Sequence, residues 1–151
     1  MYDVIVAATD FSEDSRVGVA TAARLAQKVG ARVVLAHVLD DTLPPLLAEP
    51  TRRQVFEEHR RMAQESLEAW RQAYLAKVRG EVRILEGSPH RQIAKVANEA
   101  QSSLIVVSSH GHSRVGELLL GSTTERLLHC ASCPVLVVRP QMRKGARDEE
   151  L

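Results

Sequence analysis

The chain has 151 residues, of which 44% are apolar and only 3% aromatic, so we expect one domain whose core consists of small aliphatic side chains. Its 20 basic and 19 acidic residues give a formal net charge of +1, which argues against a nucleic-acid partner. No apolar run reaches the length of a membrane span and no export signal precedes the first apolar run, so we expect a cytoplasmic protein with no membrane partner.

The first 40 residues predict a strand, a helix and a second strand. Val4–Ala8 is an uninterrupted apolar run, typical of a strand that is buried on both faces. Ser12 can then cap a helix, and Gly30 is suited to end it. Arg32–Leu39 carries a second apolar run and predicts the next strand.

The middle of the chain predicts a long helix, a short strand and another helix. Apolar residues at helical spacing favour a helix over residues 51–78, which Gly80 would end. Residues 82–85 form a short apolar run that predicts the third strand. Ser88 and Pro89 then suit the N-cap and the first position of the next helix.

The last third predicts two strands around a loop and a helix. Residues 104–107 are an apolar run without polar interruption, and the segment from Pro134 to Val138 predicts the fifth strand. Between them a helix begins at Gly121 and Ser122, where Ser122 and Glu125 match a capping box. Residues 1–140 are therefore interpreted as one domain, and residues 141–151 as a charged, disordered tail.

The alternation of strands and helices predicts an α/β fold with a single doubly wound, five-stranded parallel sheet and helices on both faces. Ligands of such sheets bind beyond the carboxyl ends of the strands, where the strand order reverses. The candidate site residues are therefore those that end or follow the strands, namely residues 9–10, 38–39 and 108–122.

The loop after the fourth strand has the composition of a phosphate-binding site. Residues 107–111 read Val-Ser-Ser-His-Gly, and after nine intervening residues Gly121 precedes Ser122 and Thr123. Small residues let a backbone approach a ligand closely, and a glycine before Ser-Thr at a helix start offers N–H groups and hydroxyls to an anion. The loop matches neither a Walker A motif nor the Rossmann dinucleotide fingerprint, and no PP-loop follows the first strand.

These segments resemble the universal stress protein family, whose nucleotide-binding pattern is Gly, two residues, Gly, nine residues, Gly, then Ser or Thr. Gly111, Gly121 and Ser122 match that pattern, whereas Ser108 occupies the slot of its first glycine. Residues 131–138 resemble the last strand of the family, and residues 4–12 resemble its first strand and turn. The resemblance covers residues 2–139 and implies a Rossmann-like fold of the adenine nucleotide alpha hydrolase type.

The resemblance also implies a role for individual residues in binding ATP or AMP. Asp10 would accept hydrogen bonds from the ribose, Ala8 and Thr9 would line the base and sugar, Val38 would offer backbone groups to adenine, and Val107 would pack on the base or sugar. The phosphates would lie near the loop and the helix that follows it, at His110, Gly111, Gly121, Ser122 and Thr123. The side chain of Ser108 could crowd the ribose or hydrogen-bond it.

Each of these residues also has a purely structural interpretation. Asp10 could be a turn or capping residue, and Ser122 could be only an N-cap. Cys130 and Cys133 form a C-x-x-C, but they leave a helix and enter a strand, the reverse of the usual redox arrangement. A metal site at His110 and His112 would need further ligands, so solvent-facing loop histidines are the simpler interpretation.

The resemblance implies a regulatory module of the stress response, in which ATP or AMP, with Mg²⁺ in the case of ATP, controls shape or the choice of an unknown partner protein. A slow ATPase and a nucleotide-free interaction dimer are the alternatives. In the family the last strand pairs with its copy in a second chain, which implies a homodimer through the strand from Pro134 to Val138.

Overall fold

The structure, a computed structural model, describes residues 2–40, 47–109 and 120–140. These ranges contain five strands and four helices. In chain order they are β1 (Val4–Ala8), α1 (Glu13–Val29), β2 (Arg32–Leu39), α2 (Thr51–Tyr74), β3 (Gly80–Glu86), α3 (Pro89–Glu99), β4 (Leu104–Ser108), α4 (Ser122–Cys130) and β5 (Val135–Val138). All strand pairs are parallel, in the order β3-β2-β1-β4-β5. The predicted doubly wound, five-stranded α/β fold is confirmed.

Two hydrophobic clusters cover the two faces of the sheet. Successive strand residues point to opposite faces, so Ile5 packs in the cluster of α1 and α2, while its neighbour Val6 packs in the cluster of α3 and α4. Leu67 of α2 and Leu127 of α4 are fully buried, one in each cluster. Each such side chain contributes about 1.5–3 kcal/mol of hydrophobic stabilisation. The sheet is thus held between two helical layers.

The strand order reverses beside β1. From β1 the chain moves outward to β2 and β3, and it then returns to the other side of β1 with β4 and β5. Ala8 at the end of β1 is paired with Ala36 of β2, and Ala7 is paired with Val106 of β4. The carboxyl ends of β1 and β4 therefore diverge into different helices, which leaves a crevice between them.

Helix α1 begins and ends as its sequence predicts. The Ser12 hydroxyl accepts a hydrogen bond from the Ser15 N–H, so Ser12 is the N-cap. Gly30 is the C-cap, with a φ of 75° in the left-handed region that favours glycine. Both predicted limits of this helix are confirmed.

The end of α2 differs from its prediction. The helix ends at Tyr74, because Leu75 leaves the helical conformation and turns into the core, where only 3% of its surface is exposed. Val78 still packs against the core, but it does so from a turn closed by its N–H to the carbonyl of Leu75. Gly80 is the first residue of β3 and has no room for a side chain, since an added Cβ would lie 2.9 Å from the Leu75 Cβ.

The two edge strands of the sheet have different surfaces. In β3 the exposed residues Glu81, Arg83 and Glu86 are charged. In β5 Leu136 is 38% exposed between half-buried valines. Within the described ranges no helix is both long and apolar enough to cross a bilayer.

The two cysteines lie as the sequence predicts, at the end of α4 and just before β5. The Cys130 thiol donates to the carbonyl of His90 over 3.7 Å, and burial raises the pKa of Cys133, which disfavours its thiolate. Over residues 2–40, 47–109 and 120–140, no group of three or more His, Cys, Asp or Glu residues could hold a metal ion. His110 and His112 lie outside these ranges.

Candidate functional site

A cavity of about 370 Å³ lies at the reversal of strand order, beyond the carboxyl ends of β1, β2 and β4 and beside the first residues of α3 and α4. It is lined by Ala8, Thr9, Asp10, Ser15, Ala36, His37, Val38, Pro89, Ile93, Val107, Ser108, Gly121, Ser122, Thr123 and Thr124. The structure therefore brings together nine of the predicted site residues from four separate segments. The other two, His110 and Gly111, lie outside the described residues. The volume is in the range of small-molecule sites.

The N–H and the hydroxyl of Thr9, at the end of β1, both have hydrogen-bond partners within the protein. Its N–H donates to the carbonyl of Ala36, and its hydroxyl accepts from the N–H of Phe11 at 2.9 Å. The Ser15 hydroxyl donates its hydrogen to the Ser12 carbonyl, so the bond of 2.9 Å between the two hydroxyls is donated by Thr9. Thr9 therefore shapes the cavity wall and fixes the turn into α1.

Asp10 combines a structural contact with a position in the cavity. Its Oδ1 accepts from the Ser12 N–H at 3.0 Å and from the Ser12 hydroxyl at 2.5 Å. These bonds form the turn that the structural interpretation of Asp10 expects. The residue is also half-buried and lines the cavity, so the turn holds a carboxylate at its wall.

His37 connects the cavity to an aromatic cluster. Its Nδ1 lies 2.8 Å from the Thr9 carbonyl, which can only accept, so Nδ1 carries the hydrogen. The imidazole packs on the ring of Phe11 with centroids 4.4 Å apart, and Phe11 in turn contacts Trp70. The turn at Thr9 is thereby tied to β2 and to α2.

The N-terminus of α4 opens into the cavity, but it is not capped as the sequence predicts. Gly121 is the N-cap, with φ −60° and ψ 153°, and its carbonyl accepts from the Glu125 N–H. Ser122 is therefore already the first helical residue, and no side chain caps this helix, so the predicted capping box is wrong. The hydroxyl of Thr124 instead donates to the Ser108 carbonyl at 2.8 Å.

This N-terminus is the best anion site among the described lining residues. The first N–H groups of a helix have no intrahelical acceptor, and the helix dipole gives that end a partial positive charge. A bond of 2.7 Å from the Gly121 N–H to the Ser109 carbonyl anchors the start of α4 to the end of β4. The start of α3 also reaches the cavity, but its first helical residue is Pro89, which has no N–H to donate.

The side chain of Ser108 lies on the opposite side of the sheet from that of Val107. Val107 belongs to the cluster of α3 and α4, whereas Val106 packs with α1, and strand alternation places Ser108 with Val106. In agreement, a Cβ added to Gly18 of α1 would lie 3.9 Å from the Ser108 Cβ. The hydroxymethyl group of Ser108 therefore extends from the strand towards α1.

Six lining residues were not among the predicted ones: Ser15, Ala36, His37, Pro89, Ile93 and Thr124. Ala36 and His37 could have been found, because they precede Val38 in the same strand end. Pro89 and Ile93 carry no sequence signal for the site, since their place depends on how α3 crosses the sheet.

The chain matches a known family over nearly its full length. The family model described as "universal stress protein family" matches residues 1–139. A curated relative from Thermus aquaticus, "universal stress protein in QAH/OAS sulfhydrylase 3'region", is 32% identical over 139 residues, which cover 92% of this chain and 100% of the relative.

Two solved structures show the same fold. The universal stress protein UspA from Lactobacillus plantarum has a TM-score of 0.81 at 24% identity, covering 91% of this chain and 98% of its own. The universal stress protein from Archaeoglobus fulgidus in complex with dAMP has a TM-score of 0.65 at 20% identity, covering 91% and 97%. The layered arrangement of sheet and helices is therefore common to all three chains.

Proposed function

This chain belongs to the universal stress protein family, and on that basis we propose that it is a regulatory module of the cellular stress response that binds an adenine nucleotide. The observation that carries the proposal is the cavity at the reversal of strand order, which receives the N-terminus of α4 and the carboxylate of Asp10. The dAMP held by the structural relative from Archaeoglobus fulgidus supports the choice of an adenine nucleotide.

The base and sugar would occupy the part of the cavity formed by the strand ends. Ala8, Val38 and Val107 supply an apolar wall on the side of α3 and α4, where a flat base can pack. The backbone of Val38 would offer its N–H and carbonyl to the adenine edge, and Asp10 would accept from the ribose hydroxyls. Thr9 would contribute shape rather than hydrogen bonds, because its polar groups already have protein partners.

The phosphates would lie at the start of α4. Gly121, Ser122 and Thr123 line this end, where backbone N–H groups and two hydroxyls can face an anion. His110 and Gly111 would complete the site from the preceding loop. We propose ATP or AMP as the ligand, with Mg²⁺ accompanying ATP, and an unidentified protein as the partner whose binding responds to occupancy. Mass spectrometry of ligand released from the purified protein tests the identity of the nucleotide.

Replacing Ser108 with glycine should change nucleotide affinity little. The side chain of Ser108 extends towards α1, so its removal leaves the cavity wall on the side of Val107 unchanged. We expect the Kd for ATP with magnesium to differ from that of the parent by less than about fivefold, or ~1 kcal/mol, the scale of one net hydrogen bond. Titration calorimetry of both proteins measures this.

Ser108→Ala separates the two parts of the side chain, because it keeps the Cβ and removes only the hydroxyl. It should resemble the parent as closely as Ser108→Gly does. Clear binding by the glycine variant together with none by the parent would mean that the serine closes the site. The nucleotide-free interaction dimer would then be the better account of this chain.

We further propose that the protein forms a homodimer through β5. Leu136 is exposed on an apolar edge strand, and such edges are prone to pair with another strand. Analytical ultracentrifugation at micromolar concentration should show a dimer, and Leu136→Lys should raise the dimer dissociation constant at least tenfold. Glu81→Lys on the opposite edge, in β3, is the matched control and should leave the dimer intact. A monomeric parent would refute this proposal.

A further inference from the structure

A second hollow, of about 520 Å³, lies between α1 and the C-terminal end of α2, on the other face of the sheet from Val38 and Val107. We call it the α1–α2 groove. The apolar part of its lining, here called the floor, consists of small side chains, namely Val17, Ala20, Ala23, Ala73, Ala76 and Val78. Alanines on two adjacent helices cannot fill the space between the helices, so the hollow follows from the sequence. Its volume is within the range of small-molecule sites.

The rim of the α1–α2 groove carries positive charge that no described carboxylate neutralises. Arg24 and Lys77 line the groove, and among the described residues no carboxylate oxygen lies within 4.0 Å of either cation. Most cations of α2 differ in this respect, since Arg60, Arg61 and Arg71 each pair with a glutamate.

Arg16 and Tyr74 also line the rim of the groove. Arg16 is paired with Glu13 over 2.6 Å, so its charge is already balanced. Glu13 raises the pKa of Arg16 above its ordinary value, and Tyr74 adds to that effect. Tyr74 lines the same groove as Arg16 and supplies an aromatic ring there. The unbalanced charge of the groove therefore comes from Arg24 and Lys77, next to an aromatic wall.

We propose that the α1–α2 groove binds a small amphipathic anion, with its acid group held by Arg24 and Lys77 and its apolar body lying on the alanine floor. Charge complementarity selects an anion, and the apolar floor selects a ligand with a hydrophobic body over a bare inorganic ion. The groove is separate from the adenine-nucleotide cavity, so this assignment does not depend on the nucleotide proposal.

The only tryptophan of the chain lies beside the groove and, through Phe11 and His37, near the nucleotide cavity, so its energy transfer reports a probe in either place and the variants below distinguish the two. Trp70 contacts Tyr74, which lines the groove, with ring centroids 5.4 Å apart. Anilinonaphthalene sulfonate carries a sulfonate on an apolar aromatic body and accepts excitation energy from tryptophan. We expect the probe to bind the folded protein with efficient energy transfer from Trp70.

Charge reversal tests the assignment. The double variant Arg24→Glu/Lys77→Glu should weaken probe binding at least tenfold. The matched control Arg91→Glu/Arg126→Glu, which reverses exposed cations of α3 and α4, should stay within twofold of the parent. Equal weakening in both double variants, or in neither, would overturn the assignment. Lys77 would then serve only as a cation at the C-terminal end of α2.

Two further variants keep the test decisive if charge reversal disturbs folding. Ala20→Leu fills the floor without changing the charge, and it should also weaken probe binding at least tenfold. Gly121→Val, which alters the nucleotide cavity, should leave energy transfer from Trp70 unchanged. Unaltered binding in Ala20→Leu, or loss of energy transfer in Gly121→Val, would place the probe elsewhere and overturn the proposal.

Discussion

The Gly121→Val variant should bind AMP and ATP at least tenfold more weakly than the parent, a loss of about 1.4 kcal/mol. Gly121 lines the cavity directly before α4, where we propose that the phosphates meet the first N–H groups of the helix. An isopropyl group there would hold an anion away from those donors. Calorimetric titration with both nucleotides measures the loss.

We expect the loss of nucleotide affinity to arise from the size of the valine side chain in the cavity, and not from misfolding. The dihedral angles of Gly121, φ −60° and ψ 153°, are allowed for any residue, so far-UV circular dichroism should be unchanged. Gly121→Ala should give an intermediate loss. Ala131→Val is a matched control at the other end of α4, where the backbone has nearly the same conformation, φ −69° and ψ 138°. Equal affinity in Gly121→Val and the parent would place the phosphates elsewhere.

The Asp10→Asn variant should lose adenosine and AMP affinity about 10- to 150-fold. Asparagine keeps an Oδ1 that can accept from Ser12, so the turn into α1 should persist and the unfolding temperature should change little. With Oδ1 bound to Ser12, the amide nitrogen of asparagine would stand where the carboxylate offers its second oxygen, so the hydrogen bond from the ribose hydroxyl would be lost. Bonds to charged groups contribute about 1.5–3 kcal/mol. Measuring adenosine beside AMP separates this loss from any change in phosphate repulsion.

Asp10→Ala is the control that removes both contributions of the residue. It should lower affinity as Asp10→Asn does, and it should also lower the unfolding temperature, because the acceptor for Ser12 is lost. If Asp10→Asn bound both ligands like the parent, Asp10 would be a turn residue only.

The order and type of the elements could be predicted because the core strands are short apolar runs with clear boundaries. Val4–Ala8 and Leu104–Ser108 lie at the centre of a sheet covered on both faces, so nearly all their side chains are buried. The end of α2 could not be predicted in this way. Tyr74 and Val78 are four residues apart and both pack on the core, so the pattern is helical even though Leu75 has already left the helix. The spacing of apolar residues indicates which side chains are buried. A turn can bury side chains at this spacing just as a helix can.

The convergence of Thr9, Val38 and Val107 was predictable, because the carboxyl ends of parallel strands meet at one edge of the sheet. The direction of the Ser108 side chain also follows from strand alternation, once Val107 is assigned to the face of α3 and α4. The start of α4 at Gly121 and Ser122 was predicted, but the capping box of Ser122 and Glu125 indicated the wrong N-cap. A glycine in an extended conformation can begin a helix as a serine can, and the bonds of Gly121 with Ser109 and of Thr124 with Ser108 hold α4 in this register.

If the chain pairs through β5 as proposed, the unequal edges of the sheet would limit how many copies can assemble. If both edge strands could pair with another copy, β5 of one chain could bind β3 of the next without limit and form a filament. Glu81, Arg83 and Glu86 make β3 a poor partner, because charged side chains on an edge strand oppose pairing. Two copies joined through β5 would therefore present only their charged β3 edges to the solvent, and growth would stop at two chains even at high cellular concentration.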